Sequence, residues 1–244
     1  ALALSANLIS GLAFGTAIVY PPLFFEAVRG IDATRAGLLL APFAVTSGLC
    51  TILAGQITDR WGGHKAVPLV GMLVSVAGMV MLSSIDATTP AAFVVGSAMI
   101  VGMGIGFVMQ TLLYVIQRFT APGDIGMATS TIMLARLLGN SLGVAIVGTI
   151  FTNSLLSGVQ ERLPEFPVDS IQGAPQKIAQ LSDGVREQIQ AAFATALSHG
   201  FASMIPVMVI GVIVVAAIPA RRVRERLRTS PLEVPLAEGT AHAM

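Results

Sequence analysis

Residues 55–65 read Gly-Gln-Ile-Thr-Asp-Arg-Trp-Gly-Gly-His-Lys, a short stretch of charge and glycine set between two long apolar runs. The run before it, 37–57, and the run after it, 66–85, are each long enough to cross a bilayer, whose hydrocarbon core of about 30 Å takes roughly 20 apolar residues in helical form. The stretch is therefore expected to be a tight turn at a membrane surface, with one helix arriving and another leaving.

The same pattern extends outward from this turn. The 244 residues are 54% hydrophobic and 11% charged, with a mean hydropathy of +0.80, against about 25% charged in a soluble domain. Apolar runs near 3–25, 37–57, 66–85, 91–117, 127–152 and 200–219 predict six spans of an all-α polytopic membrane protein. A net charge of +1 leaves no nucleic-acid footprint, and the single cysteine, Cys50, lies within an apolar run and has no partner for an internal disulfide. There is no initiator Met and no short apolar segment ending in a cleavage site, so the first run reads as a span and the chain as cut from something longer.

Basic residues set the expected orientation. With the turn at Asp59 on the cytoplasmic side, Arg60, Lys65, Arg118, Arg221, Arg222, Arg224, Arg226 and Arg228 lie inside, while Arg29, Arg35, Arg162, Lys177 and Arg186 lie outside, eight against five. Both ends are then cytoplasmic.

In the first helix, Asn7, Ser10, Gly11 and Phe14 recur at helical spacing, as either a cavity lining or a packing face with one hydrogen-bonded Asn. Pro21 and Pro22 should break or bend its outer end. Glu26 stands three residues before Arg29, as an interfacial pair or as a protonatable coupling site. Asp32 or Thr34 can cap the second helix, whose Ser47, Thr51 and Gly55, beside Ala44 and Gly48, form a small-residue stripe suited to close packing. The third helix has only Gly71, Ser75 and Gly78 to interrupt an apolar surface and is expected to be peripheral and lipid-facing. Thr89 and Pro90 offer a cap and a first-turn proline for the fourth.

That fourth helix carries Gly102, Gly104 and Gly106, which lack the third glycine and the preceding strand of a nucleotide fingerprint. Gln110, Tyr114 and Gln117, at i, i+4 and i+7, place three polar groups on one face, for a cavity or for interhelical hydrogen bonds. Asp124 can cap the fifth helix, in which Ala135, Gly139 and Gly143 make a second stripe beside Arg136 and Asn140. Arg136 falls about 5 Å from the middle of that span. It should face the bundle or a watery cavity, with Asn140 in hydrogen-bonding reach and no carboxylate at its depth. Pro164, Pro167, Gly173 and Pro175 among six charged residues mark 153–183 as an outside loop. Ile189, Phe193 and Leu197 predict an amphipathic helix joining the last span at His199 and Gly200. Residues 221–244 form a basic cytoplasmic tail, expected to be disordered from Thr229.

Gly55, Asp59, Arg60, Gly62 and Lys65 match the G-x-x-x-D-R-x-G signature, with its trailing basic residue, of the major facilitator superfamily, which the chain resembles. Ala36, Gly37 and Pro42, then Arg136, Gly139 and Gly143, and the long loop before the last span are similar to its fourteen-span drug:proton antiporter branch, so the resemblance covers nearly all of 1–220. The membrane-embedded arginine and the Gly-Pro motif of the family's N-terminal half are missing, so the chain resembles the C-terminal half, a 3+3 inverted repeat divided near Asp86.

The resemblance implies that the first and fourth helices line a central cavity, the second and fifth meet the other half, and the third and sixth face lipid. Asn7, Phe14, Gln110, Tyr114, Gln117, Arg136 and Asn140 would then line the substrate cavity, and the signature with Arg118 would switch conformations. Glu26 is a coupling candidate, in a half that usually holds few carboxylates, and Gly63 departs from the basic residue common there. The implied activity is proton-coupled efflux of amphipathic drugs or other small molecules. It would draw on a proton gradient without cofactor or metal, together with the N-terminal half of the same transporter, in a cell membrane such as the bacterial inner membrane.

A half-size protein acting as a dimer and a non-transporting scaffold are alternatives. An intramembrane serine protease is not expected: Ser10, Ser47 and Ser157 have Leu8, Val45 and Leu155 where the nucleophile motif needs glycine, and Gly139-x-Ser141-x-Gly143 lies mid-helix. His64, His199 and His242 fall in a turn, a helix join and the tail.

Overall fold

Lipid offers a backbone no hydrogen bonds, so runs of this hydropathy must satisfy their own N–H and C=O groups as helices. A computed structural model describes residues 2–61, 65–162 and 183–217. It consists of α1 (Leu2–Ala27), α2 (Ala33–Leu39), α3 (Ala41–Trp61), α4 (Ala66–Ser83), α5 (Ala91–Phe119), α6 (Ile125–Arg162) and α7 (Asp183–Ala216), with a 3-10 turn at Pro122–Asp124 before α6. Among the described residues there is no strand, and six segments are long and apolar enough to span a membrane, α2 and α3 together making the second. This is an all-α, multi-pass membrane protein. Gly62, Gly63, His64, the middle of the long loop, the end of the last span and the basic tail, with Pro164, Pro167, Gly173, Pro175, Lys177, Pro219 and Arg221 to Arg228, lie outside the described residues.

The second span breaks at Leu40 because Pro42 has no N–H to give and its ring excludes a helical carbonyl four residues back. The chain passes the break on shorter bonds, Leu40 N–H to Gly37 O at 3.1 Å and Phe43 N–H to Leu40 O at 3.0 Å. Asp32 caps α2 as expected, accepting from the Arg35 N–H at 3.1 Å.

α1 packs on α5, α6 and α7, and α5 packs on α1, α3 and α4. Exchanging the first three spans with the last three maps these contacts onto one another, the symmetry of an inverted repeat. The match is incomplete, since α6 and α7 pack extensively while α3 and α4 barely touch. The close approaches run through glycine. A Cβ at Gly11 or Gly15 would stand 2.5 Å from the carbonyl oxygens of Arg136 or Asn140, and one at Gly139 or Gly143 would overlap those of Leu8 and Leu12. α5 is held on both sides: a Cβ at Gly104 would overlap Gly71 and Ser75 of α4, and one at Gly106 would stand 2.5 Å from the Ser47 oxygen of α3.

These contacts correct several expectations. The stripes on the second and fifth spans do serve close packing, but of α3 onto α5 and α6 onto α1 within this chain, whereas the outer faces of α3 and α6 carry Val45, Leu49 and Ile52, and Leu134, Leu137 and Leu138. The third span is not merely peripheral, because Gly71, Ser75 and Gly78 are its buried seam against α5. Pro21 and Pro22 do not end α1, which stays helical to Ala27. The N-cap of α5 is Pro90, while Thr89 turns back to bond Asp86. Asp124 belongs to the 3-10 turn that feeds α6. The outside loop does not begin at 153, since α6 remains helical to Arg162, and α7 passes His199 and Gly200 without a join.

Beyond the apolar core the two long helices stay together. Leu155 and Val159 of α6 are buried, as are Ile189 and Phe193 of α7. Phe151 and Phe193 meet edge to face with centroids 5.6 Å apart, and Tyr20 tilts against Phe151 at 6.3 Å and meets Phe201 edge-on at 6.4 Å. The Ser198 hydroxyl donates to the Ser83 carbonyl, fixing α7 beside the end of α4.

Candidate functional site

The candidate site is a cleft of about 120 Å³ where α1, α3, α5 and α6 converge. Its walls are apolar, from Met109, Leu113, Ile132 and Met133, with Asn7, Thr51, Gln110 and Arg136 set among them. Each polar group is placed by a helix that glycine lets come close. Gly11 and Gly139 bring α1 and α6 together beside Asn7 and Arg136, and Gly106 brings α5 to α3 one turn before Gln110.

Arg136 is half-buried, about 16 Å along α6 from its first residue. An arginine at such a depth costs about 2.5–3.5 kcal/mol on insertion scales. Among the described residues its guanidinium meets no carboxylate, and its polar contact is the Met109 sulfur, Nη1 to Sδ 4.0 Å. Asn140 does not serve the guanidinium. Oriented to satisfy its neighbours, its amide nitrogen donates to the Gly11 carbonyl at 2.8 Å and to the Arg136 carbonyl at 3.3 Å, bonding α6 to α1. Asn7 is 4% exposed, and its Oδ1 is buried without a hydrogen-bond partner, an arrangement that costs about 1–3 kcal/mol unless something donates to it.

Asn7, Gln110 and Arg136 are thus brought together, while the other expected cavity residues are placed elsewhere. Phe14 packs tilted against Phe43 with centroids 5.7 Å apart. Gln117 donates to the Thr129 hydroxyl at 3.2 Å, tying α5 to α6. Tyr114 is half-buried on α5 but does not line the cleft. Thr51 was legible only as part of a stripe; its place one turn before Gly55, where an added Cβ would stand 3.7 Å from the Gln110 side chain, is what brings it to the cleft.

The charged turn sits at one end of this assembly. Gly55 faces Gln110, and the buried Thr58 and Thr111 hydroxyls meet at 3.5 Å between α3 and α5. Asp59 and Arg60 are exposed on the last turn of α3, and Lys65 immediately precedes α4. Arg118 is exposed at the end of α5, and no ion pair joins it to Asp59. At the opposite end Glu26 is half-buried and does not pair with Arg29. Arg29 instead donates to the carbonyls of Thr88, at 2.9 Å, and Thr89, fastening the end of α1 to the α4–α5 turn. The described residues contain no metal-ligand cluster.

Residues 2–157 match the family model described as the Major Facilitator Superfamily. Over 209 residues the chain is 28% identical to an uncharacterized MFS-type transporter of Mycobacterium tuberculosis, covering 85% of this chain and 30% of that protein. Over 152 residues it is 27% identical to a dehydrocurvularin exporter of Aspergillus terreus, covering 62% of this chain and 27% of that one. The chain therefore spans less than a third of the length of these relatives. In fold it resembles the crystal structure of a bacterial homolog to the human lysosomal transporter Spinster, inward-facing and occupied, with a TM-score of 0.71 at 18% identity over 94% of this chain and 51% of that one.

Proposed function

This chain belongs to the Major Facilitator Superfamily, and we propose from that premise that it is the C-terminal half of a proton-coupled exporter of amphipathic small molecules. The observation that carries this reading is the cleft, in which four polar side chains stand on apolar walls between helices long and apolar enough to span a membrane. An amphipathic solute needs such a lining, with area for its apolar body and few hydrogen-bonding groups to orient it. The spans flanking the cleft, α3 and α6, are the least covered, each 22% buried within its apolar window. They offer the faces on which an N-terminal half would seat, completing the cavity.

An exporter among the relatives supports the direction of transport. Relatives that are transporters leave no ground for the protease alternative. A proton gradient supplies the energy, with Glu26 the candidate coupling group in this half and the remaining carboxylates in the other. The signature Gly55, Asp59, Arg60, Gly62 and Lys65, with Arg118, acts as the cytoplasmic switch, and both ends of the chain lie in the cytoplasm. Asp59 adds negative charge at the negative end of α3 and is therefore free to seek a cation or a helix N-terminus in one transporter state.

The test is dye movement in proteoliposomes under an imposed proton gradient, using a panel of cationic, neutral and anionic amphipathic dyes. The full-length protein should move dye and lose this when a protonophore collapses the gradient. Residues 1–244 alone should move none, because alternating access needs two bodies that rock. Transport indifferent to the gradient would overturn the coupling. Transport by the isolated chain would overturn the half-transporter reading in favour of a half-size dimer.

A further inference from the structure

We propose that the cleft is a subsite for an organic anion: Arg136 takes the acid group of the transported molecule, and Asn7 takes a hydrogen-bond donor next to it. This deepens the exporter reading and rests on it for the word transported, but not for the binding site itself.

Two independent observations converge. The first is a permanent cation without a counter-charge. Among the described residues the Arg136 guanidinium meets only a thioether. A sulfur is a weak acceptor, so the planar fork that would hold a carboxylate through two parallel bonds is left unfilled. The second is the orphaned Asn7 oxygen, 4% exposed and lining the same cleft. An acceptor buried among apolar groups calls for an incoming N–H or O–H. Gln110, in the same lining, can both donate and accept. The lining thus matches a carboxylate flanked by a hydroxyl or amide, on a body that lies along Met109, Leu113 and Ile132.

The chief competitor is a carboxylate of the other half that neutralises Arg136 permanently, and the two differ in a measurable way. Purified full-length protein is titrated at pH 7 with fluorescent 3-hydroxy-2-naphthoate, with its uncharged carboxamide, and with 2-naphthoate. The wild type should bind the hydroxy acid about tenfold more tightly than the amide, on the scale of a charge-assisted hydrogen-bonded pair. Arg136→Gln should erase that preference, mainly by weakening the acid. Arg136→Lys should keep part of it, since charge remains but the fork is lost. Asn7→Ala should remove the advantage of the hydroxy acid over 2-naphthoate. Thermal melts of each variant separate a folding defect from a binding one.

Equal binding of acid and amide by the wild type would overturn the proposal. So would equal weakening of both by Arg136→Gln, the signature of a permanent ion pair. Acid preference without movement in proteoliposomes would instead sink the exporter reading and leave the anion site standing.

Discussion

Single residues decide how tightly the spans approach. A Cβ at Gly139 has no room beside the Leu8 carbonyl, whereas one at Gly96, also within a helix, meets nothing within 4 Å. Gly139→Ala should therefore cost about 1–3 kcal/mol through forced separation of α1 and α6, while Gly96→Ala should be neutral or slightly stabilising. Thermal unfolding of the two variants checks the contrast, and equal melting points would contradict it.

Asp86 governs a different kind of contact. The Thr88 hydroxyl, then the Thr89 hydroxyl, then the Thr88 backbone donate to its carboxylate and hold its pKa below the ordinary value. A depressed carboxylate contributes stability that is present above its unfolded pKa and lost as pH falls through the folded one. The turn that presents the Thr88 and Thr89 carbonyls to Arg29 should thus persist through mildly acidic pH and loosen only below about 3.9. A ¹³C titration of the Asp86 carboxyl should have its midpoint beneath that value. Arg136 was legible in the sequence because one charge in an apolar run is conspicuous. The role of Asn140 was not, because spacing on one helix places it near Arg136 but cannot show that the Gly11 carbonyl of another helix lies closer to its amide.

At the scale of elements, spans were readable from hydropathy, and their ends were not. The residues after 152 turn polar, which reads as a loop, yet Leu155 and Val159 stand one turn apart and are buried, and Gly158 between them lies beside Ala192 of α7. The helix continues because it has a partner, which no single stretch reveals. Hydrogen exchange should show residues 153–162 protected like the membrane part of α6. Phe193→Ala should release that protection and cost about 3–5 kcal/mol, and rapid exchange of 153–162 in the wild type would refute the hairpin. The break at Leu40, conversely, could have been read from Pro42 alone.

For the whole molecule, six spans follow from length and composition, but a stripe of small residues does not say which helix fills it. Both stripes are used internally, which leaves large apolar residues exposed on α3 and α6, the faces proposed above to seat the N-terminal half. With Cys50→Ser as background, cysteine at Leu137, 55% exposed in this chain, should react with maleimide far more slowly in the full-length protein than in residues 1–244. Cysteine at Ile213 on α7, 62% exposed, should react alike in both. Equal rates at position 137 would deny that α6 faces the other half.

The same α6 is one unbroken rod of 38 residues, about 57 Å long against a hydrocarbon slab of about 30 Å. From Arg136 to Arg162 it extends about 39 Å, so a 10° tilt at the cleft swings the far end by about 7 Å. α7 packs along the same helix, with Gly158 beside Ala192 near its far end, so the two should swing together if α6 tilts. Spin labels at Glu161 and Thr88 would read that swing directly, without any probe in the cleft itself.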